Sequence, residues 1–388
     1  MTEAMTTHDT DILIIGAGPV GMTLALALEE GRGARRVLLV DSKPRGNFVN
    51  DPRALALSHG TRQLLESLHA WNAAAGTPIR DIHVSQSGGF GRTVITREEQ
   101  GVEALGYVMR YRDLAAGLDT HLPADSILDN SEVVATNIGA ESAIVTIRRN
   151  GIEQQIRTRL IVHAEGTSTN AADVSVRDYH QHAVLAEVRP EPAHGHRAWE
   201  RFTPDGPLAL LPLGEDYSVV FTVPPEKADL LMQMNDAAFL AALQQQFGTR
   251  LRFTATSPRA RYPLALRLRK NLCSTREVWI GNAAQTLHPV SGQGFNLGIR
   301  DAWELADQLL AQGSSDPGQL AILQQYAQGR NLDRQGSAGF TDGIVRTFSN
   351  NFSPLRVARG LGLLALDLCP MARKFVAGRM IWGGRAWP

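Results

Sequence analysis

The chain has 388 residues, 43% hydrophobic and 20% charged, with 39 Lys and Arg against 39 Asp and Glu. That balance fits a globular chain long enough for two domains and excludes the basic footprint of a nucleic-acid binder. Two scattered cysteines, Cys273 and Cys369, make neither a disulfide framework nor a metal set. With only a short first apolar run, a reducing, cytoplasmic setting is expected.

The run Ile12-Leu13-Ile14-Ile15 reads as a strand buried on both faces of a parallel sheet. It enters Gly16-Ala17-Gly18-Pro19-Val20-Gly21, then a helix-forming stretch over 22–29 and a second apolar strand over 37–40 that ends at Asp41. In such a unit Gly16 allows the tight turn, Gly18 a close approach to a pyrophosphate, and Gly21 close packing of helix on strand. The pyrophosphate sits at the positive end of the helix. Asp41, 20 residues after Gly21, is spaced to accept from a ribose hydroxyl. The pattern predicts a dinucleotide site and fits NAD or FAD equally. Arg53, ahead of a helix over 61–68, either reaches the phosphates with its bidentate fork or is a solvated helix-end arginine.

Residues 79–95 alternate around Ser87-Gly88-Gly89, like a hairpin. Residues 106–122 pass through Tyr111-Arg112-Asp113-Leu114 into a helix. Strands follow over 133–145 and 153–161, around an Asn150-Gly151 turn. Leu160-Ile161-Val162-His163-Ala164 is a buried strand that meets Glu165-Gly166-Thr167-Ser168. From 180 to 222 the period changes to two, which predicts an inserted antiparallel sheet with strands over 182–188, 198–202, 208–213 and 218–223. Residues 227–247 read as one helix. The stretch from Trp279 to Asp301 is a strand end, small residues with Pro289, Gly292 and Gly294, then an amphipathic helix from about Asn296. That layout again turns backbone N–H groups toward an anionic or polar ligand. The tail over 348–377 sets Leu361, Leu364 and Leu368 among Arg356, Arg359, Arg373 and Lys374. It is either a basic amphipathic helix on an anionic bilayer or a helix packed on the cofactor domain. The second reading is favoured, because 361–369 is apolar nearly all round.

Three stretches together resemble the aromatic-ring flavin monooxygenases of the para-hydroxybenzoate hydroxylase type, over roughly residues 10 to 345. They are Gly16 through Gly21, Ala164-Glu165-Gly166-Thr167-Ser168, and Gly281-Asn282-Ala283-Ala284 through Pro289 to Gly292-Gln293-Gly294-Phe295-Asn296-Leu297-Gly298. Asn282 and Gln285, where most relatives carry Asp and His, resemble the ubiquinone-biosynthesis branch. The resemblance implies an α/β (α+β overall) fold. A Rossmann-like FAD-binding domain is expected from residues 1–78, 106–178 and 264–345, an antiparallel-sheet substrate domain from 79–105 and 179–263, and a helical segment from 346–388.

For the site, the resemblance implies that Gly16, Gly18 and Gly21 hold the FAD pyrophosphate and Asp41 the adenosine ribose. Arg53 and Arg112 would contact the phosphate and ribityl region. Glu165, where the family usually has Asp, and Gly166 lie at the second motif, tied to coupling of FAD and nicotinamide. Gly281 and Asn282 would stand beside the ribityl chain, and Pro289, Gly292, Gln293 and Gly294 beside the isoalloxazine ring, with Phe295 and Asn296 completing the cofactor-binding set. The implied reaction uses NAD(P)H and O₂, and a flavin C4a-hydroperoxide hydroxylates a polyprenylated methoxyphenol. The implied partners are the inner membrane and other proteins of ubiquinone biosynthesis. His288, next to Pro289, is the candidate base for the phenol proton; a structural loop histidine is the stronger reading on position alone. The rivals are a hydroxylase of another phenol, a flavin reductase that consumes no O₂, and a silent FAD-binding scaffold.

Overall fold

The computed structural model describes residues 7–31, 35–167, 172–350 and 352–383. Ser168 of the second motif and the last five residues of the tail lie outside the described residues.

The first sheet is built around strand Thr7–Ile15. It runs parallel to Ile152–His163 on one side, with Ile12 opposite Leu160, and to Val37–Val40 on the other, with Ile12 opposite Val37. Glu277–Trp279 and Ile127–Leu128 extend the parallel order outward. Ile12, Leu13 and Ile14 have no exposure, which explains a run with no polar alternation. Helices Pro19–Glu30 and Gln293–Ala311 pack against each other beside this sheet. The segment expected as one strand over 133–145 is two, Ser131–Ile138 and Ala143–Arg149, turned back at Gly139, whose N–H donates to the Ser142 carbonyl. The Asn150-Gly151 turn forms as expected, both residues having positive φ.

The second sheet has an 18-residue spine, Val174–Glu191, paired antiparallel with Asp216–Val223 and with Ala260–Arg269. Pro207–Leu213, Arg197–Phe202, Asp81–Gln86 and Arg92–Thr96 follow in order. All four strands expected between 182 and 223 are present. Arg197–Phe202 is antiparallel to Pro207–Leu213 but parallel to Asp81–Gln86, because the earlier hairpin enters from the far side of the chain. One face carries Trp199, Leu208, Leu210, Val219 and Phe221 and is covered by helices Pro225–Gln233 and Asp236–Phe247. These were expected as one helix. The break falls at Asn235, whose side chain accepts from the Ala238 N–H and caps the second helix.

By alternation, Ala198, Glu200, Phe202, Leu211 and Val220 share the opposite face. At the edge of this sheet, Gln285–Thr286 pairs with Arg267 and Leu268. A three-stranded sheet, Ala54–Ser58, Gly106–Arg110 and Thr77–Ile79, sits between the two larger ones and is tied to the second by Arg110, which grips Glu187 at 3.1 and 2.6 Å.

The tail forms helices Ser353–Leu368 and Pro370–Trp382 after a long helix, Leu320–Phe348. Ser353–Leu368 lies on strand Arg92–Thr96, and Pro370–Trp382 on helix His59–Ser67. A Cβ at Gly91 would stand 2.3 Å from the Gly360 carbonyl oxygen, so helix and hairpin meet backbone to backbone. The tail is therefore packed, but helix Ser353–Leu368 lies on a strand of the 79–105 stretch rather than on the cofactor domain as expected, and it is Pro370–Trp382 that reaches the latter. The tail's other side leaves Leu361, Leu364, Leu368, Met371 and Phe375 exposed. Among the described residues, no helix is long and apolar enough to cross a membrane.

Candidate active site

A groove of about 1040 Å³ runs between the sheets. Gly16, Gly18, Asp41, Arg53, Glu165, Gly166, Gly281, Asn282, His288, Pro289, Gly292, Gly294 and Phe295 all line it, so three motifs far apart in sequence meet along one channel.

At one end, Gly16 has φ +107°, and a Cβ there would lie 2.5 Å from the Ala164 carbonyl oxygen. A Cβ on Gly21 would lie 2.1 Å from the Gly16 carbonyl oxygen, so Gly21 serves the packing of the turn rather than the groove wall. Helix Pro19–Glu30 begins at Gly18 with no side-chain cap and no acid in its first turn. Its N-terminal amides and positive dipole end face the groove, which suits a pyrophosphate. Asp41 braces the turn, accepting from the Ala17 and Lys43 N–H groups at 2.8 Å. Arg53 lies over the Tyr111 ring, 4.6 Å from its centroid, and is held by Asp51 at 2.9 and 2.6 Å.

Arg112 is not brought to this channel. It is half-exposed, with Asp113 at 3.8 Å. Its neighbour Tyr111 lines the groove instead, and a Cβ at Gly18 would stand 3.5 Å from the Tyr111 hydroxyl. Adjacent helical positions differ by about 100° around the axis, so a shift of one residue exchanges groove for solvent.

At the other end, Gly292 (φ +61°) starts helix Gln293–Ala311, three residues earlier than expected, again without a side-chain cap or a first-turn acid. Asn296 and Gln293 do not line the groove. The Asn296 side chain accepts from Ser58 N–H at 2.9 Å and donates to the carbonyls of Ala56 and Gly292 at 2.9 and 2.7 Å. Gln293 donates to the Met380 carbonyl at 3.2 Å, tying the loop to the tail. Asn282 and Pro289 face solvent in the groove.

The loop between them hangs on a buried cluster. Asp301 accepts from Gly281 N–H at 3.0 Å and from the Gln285 amide at 2.5 Å through one oxygen, and from Arg330 at 2.8 Å through the other. Arg334 donates to the Gln285 side-chain oxygen, Oε1, at 3.0 Å, and Arg300 and Arg330 both bond Asp333. Gln285 thus has a structural reason: its amide accepts from a cation and donates to an anion at once.

His288 is buried and lines the groove. Its Nδ1 accepts from Val290 N–H at 3.1 Å, so the neutral ring carries its proton on Nε2, which is enclosed and has no hydrogen-bond partner among the described residues. Burial pushes its pKa down to about 4. This geometry favours the loop-histidine reading, with Nε2–H available as a donor at neutral pH.

His163 lies under the second motif, stacked on Trp279 with centroids 4.8 Å apart. Burial disfavours its charge, but Glu165 at 3.3 Å and Glu277 at 3.1 Å prevail and raise its pKa to about 9. Unfolded histidine titrates near ~6.5, so this contribution to stability is complete below that pH and is lost as pH rises through about 9. Thermal unfolding should show stability falling between neutral pH and about 9, and His163→Gln should flatten that slope. An unchanged slope in the variant would remove the triad as its cause.

Tyr111, His163, Leu211 and Val220 were not singled out from sequence, yet all line the groove. Leu211 and Val220 carry a legible alternation; which face of their sheet meets the groove was not legible.

The family described as FAD binding domain matches residues 9–336. The chain is 33% identical to a ubiquinone hydroxylase, UbiL, of Rhodospirillum rubrum over 95% of this chain and 89% of that protein. It is 29% identical to the 3-demethoxyubiquinol 3-hydroxylase of Escherichia coli, over 94% and 96%. Its fold is similar to that of p-nitrophenol 4-monooxygenase PnpA of Pseudomonas putida, with a TM-score of 0.77 at 16% identity over 98% of this chain and all of that one. With its glycine turn, its two uncapped helix ends and the loop hung on Asp301, the chain belongs to the FAD-binding monooxygenase family.

Proposed function

We propose that the groove holds FAD extended from the Gly16 turn to the loop over 289–294, and that the enzyme hydroxylates the ring of a polyprenylated methoxyphenol in ubiquinone biosynthesis, using NAD(P)H and O₂. The observation that carries this reading is the groove itself. It has an uncapped helix N-terminus at each end and an apolar wall of Leu211, Val220 and Leu287 beside the second. The kinship with the Rhodospirillum rubrum ubiquinone hydroxylase supports the substrate class. When bound, the flavin supplies the redox chemistry that activates oxygen. The protein's share is position and dryness. Asp41 and Arg53 hold the adenosine and phosphate region, Asn282 hydrogen-bonds the ribityl chain, and the loop after Pro289 directs backbone donors at the ring. His288 offers a hydrogen bond from Nε2, and the apolar wall excludes water. In this reading the first sheet, with residues 1–78, 106–178 and 264–345, serves FAD, and residues 79–105 and 179–263 supply the substrate wall. Oxygen uptake with NAD(P)H and a short-chain prenyl-methoxyphenol, followed by product mass, tests it. A gain of one oxygen is expected; no uptake by FAD-loaded protein would overturn it in favour of a reductase or a silent scaffold.

We also infer that the exposed apolar side of the tail rests on an anionic bilayer, where a polyprenyl substrate resides. Beside it, Arg92, Arg201, Arg250 and Arg356 line a cavity of about 770 Å³ that has no acidic lining residue. Guanidinium groups so placed match lipid phosphates. Leu368 and Met371 are 73% and 83% exposed, so Leu368→Glu with Met371→Glu should leave FAD content unchanged. Two buried side chains contribute about 3 kcal/mol or more, so affinity for anionic vesicles, read by co-sedimentation, should fall more than about a hundredfold. Equal binding would remove the membrane role.

A further inference from the structure

Glu200 sits in the middle of strand Arg197–Phe202, on the sheet face that bears the groove wall. It is opposite Ala209, and Ala209 is opposite Val220, a groove-lining residue, so the three form one row across the sheet. Two strand spacings separate Glu200 from Val220, about 10 Å. Its same-face neighbours define what lies in front of it. Ala198 packs in a cluster with Leu211 and Ala54, both groove-lining. Phe202 packs in a cluster with Val290, which follows His288 and Pro289. Glu200 therefore lies just behind the groove wall, on the same face and in the same row as Val220, without itself lining the groove.

Its carboxyl is not used by the fold. Oε1 is enclosed and has no hydrogen-bond partner, while part of the residue's surface remains accessible, as at the wall of an internal space. An unmade hydrogen bond at such a site is destabilising, which a fold need not bear at a position where an apolar side chain would serve. Burial alone pushes the pKa up to about 8, so the group is a neutral acid at pH 7, able both to donate and to accept. The facing elements bring no charge that alters this. Tyr179 is held protonated by burial and by Asp342, His288 is neutral, and Glu187, one row along, is paired with Arg110.

We propose that the Glu200 carboxyl is the polar subsite of the substrate pocket, hydrogen-bonded to a ring oxygen of the phenolic substrate. Through it an otherwise apolar wall reads which ring edge carries oxygen. This inference rests on the phenol-hydroxylase reading and extends it to the substrate's orientation.

The test compares the FAD-loaded wild type with Glu200→Gln and Glu200→Leu, by oxygen-uptake kinetics and by the flavin absorbance change on titration with the prenyl-methoxyphenol, between pH 6 and about 9.5, a range that brackets the Glu200 titration. Glu200→Leu should raise KM and the dissociation constant about tenfold or more, the loss of one buried hydrogen bond to an otherwise unpaired partner. Its melting temperature should hold or rise, because an unpaired buried carboxyl is removed. Glu200→Gln should keep wild-type affinity. In the wild type the affinity should weaken as pH rises through about 8, and in Glu200→Gln that dependence should vanish. Wild-type affinity in a folded Glu200→Leu, or an unaltered pH profile in Glu200→Gln, overturns the subsite. Phenol binding without turnover in the wild type overturns only the hydroxylase reading, since the binding titration still reads Glu200. A wild type that takes up no phenol overturns both.

Discussion

Asp301→Ala should cost about 3–5 kcal/mol of stability, the range for breaking a buried ion pair from one side. The reason is the number of groups that depend on it. Arg330, itself buried, would lose its 2.8 Å partner; Gly281 N–H and the Gln285 amide would lose their acceptor. Asp333 is shared by Arg300 and Arg330, so it relieves only part of the charge left behind. The damage should be felt in the cofactor site before the fold is lost, because the same carboxylate holds the loop that carries Asn282. Denaturant unfolding of flavin-free protein would give the stability change, and flavin titration the loss of affinity. A variant within about 1 kcal/mol of wild type would mean the cluster is a passive ion pair of the kind that contributes little.

Gly21→Val should abolish FAD binding at working concentrations. The new Cβ would start 2.1 Å from the Gly16 carbonyl oxygen, a backbone atom that no rotamer change can move. Either helix Pro19–Glu30 is pushed outward or the Gly16 turn opens, and Gly16, at φ +107°, has little room to adjust. Backbone strain of about 3 kcal/mol at this point corresponds to an affinity loss of more than about a hundredfold. The variant should purify without flavin absorbance while keeping its far-UV circular dichroism. Full flavin content would show that Gly21 is dispensable to the turn. Gly18→Ala provides the contrast, because its Cβ would meet only the Tyr111 hydroxyl at an ordinary 3.5 Å, and a milder loss is expected.

What could be read from sequence is what is coded locally. The run over 12–15, the glycine turn and the strand ending at Asp41 are consecutive, and each residue's demand is set by its neighbours. The two-residue period between 182 and 223 likewise announced a sheet. The parts not legible depend on partners far along the chain. Gln285 marks the branch, but its role needs Arg334, 49 residues away. Asn296 belongs to the cofactor-binding set by its motif, yet its side chain closes onto Ser58 and Ala56, more than two hundred residues earlier. Arg112 and Tyr111 could be separated only once the helix phase was known. Glu200 looked like any polar position on an alternating strand until the sheet's facing surface was fixed.

The pairing of Gln285–Thr286 with Arg267 and Leu268 bears on how such enzymes can be re-engineered. Within the chain between Asn282 and Pro289, Gln285–Thr286 is, through that pairing, the edge strand of the second sheet. The 18-residue spine Val174–Glu191 crosses position 178, with a bulge between Asp178 and Gln181, and its partner Ala260–Arg269 crosses position 264, so both strands continue past those positions. The two functional halves are therefore not modules joined by linkers. A chimera that exchanges only residues 179–263 with a relative would sever both strands in mid-ladder and leave the flavin-side edge paired to foreign backbone. Grafts that change substrate choice should instead keep the ladders and replace side chains on one face, at Glu200, Leu211 and Val220.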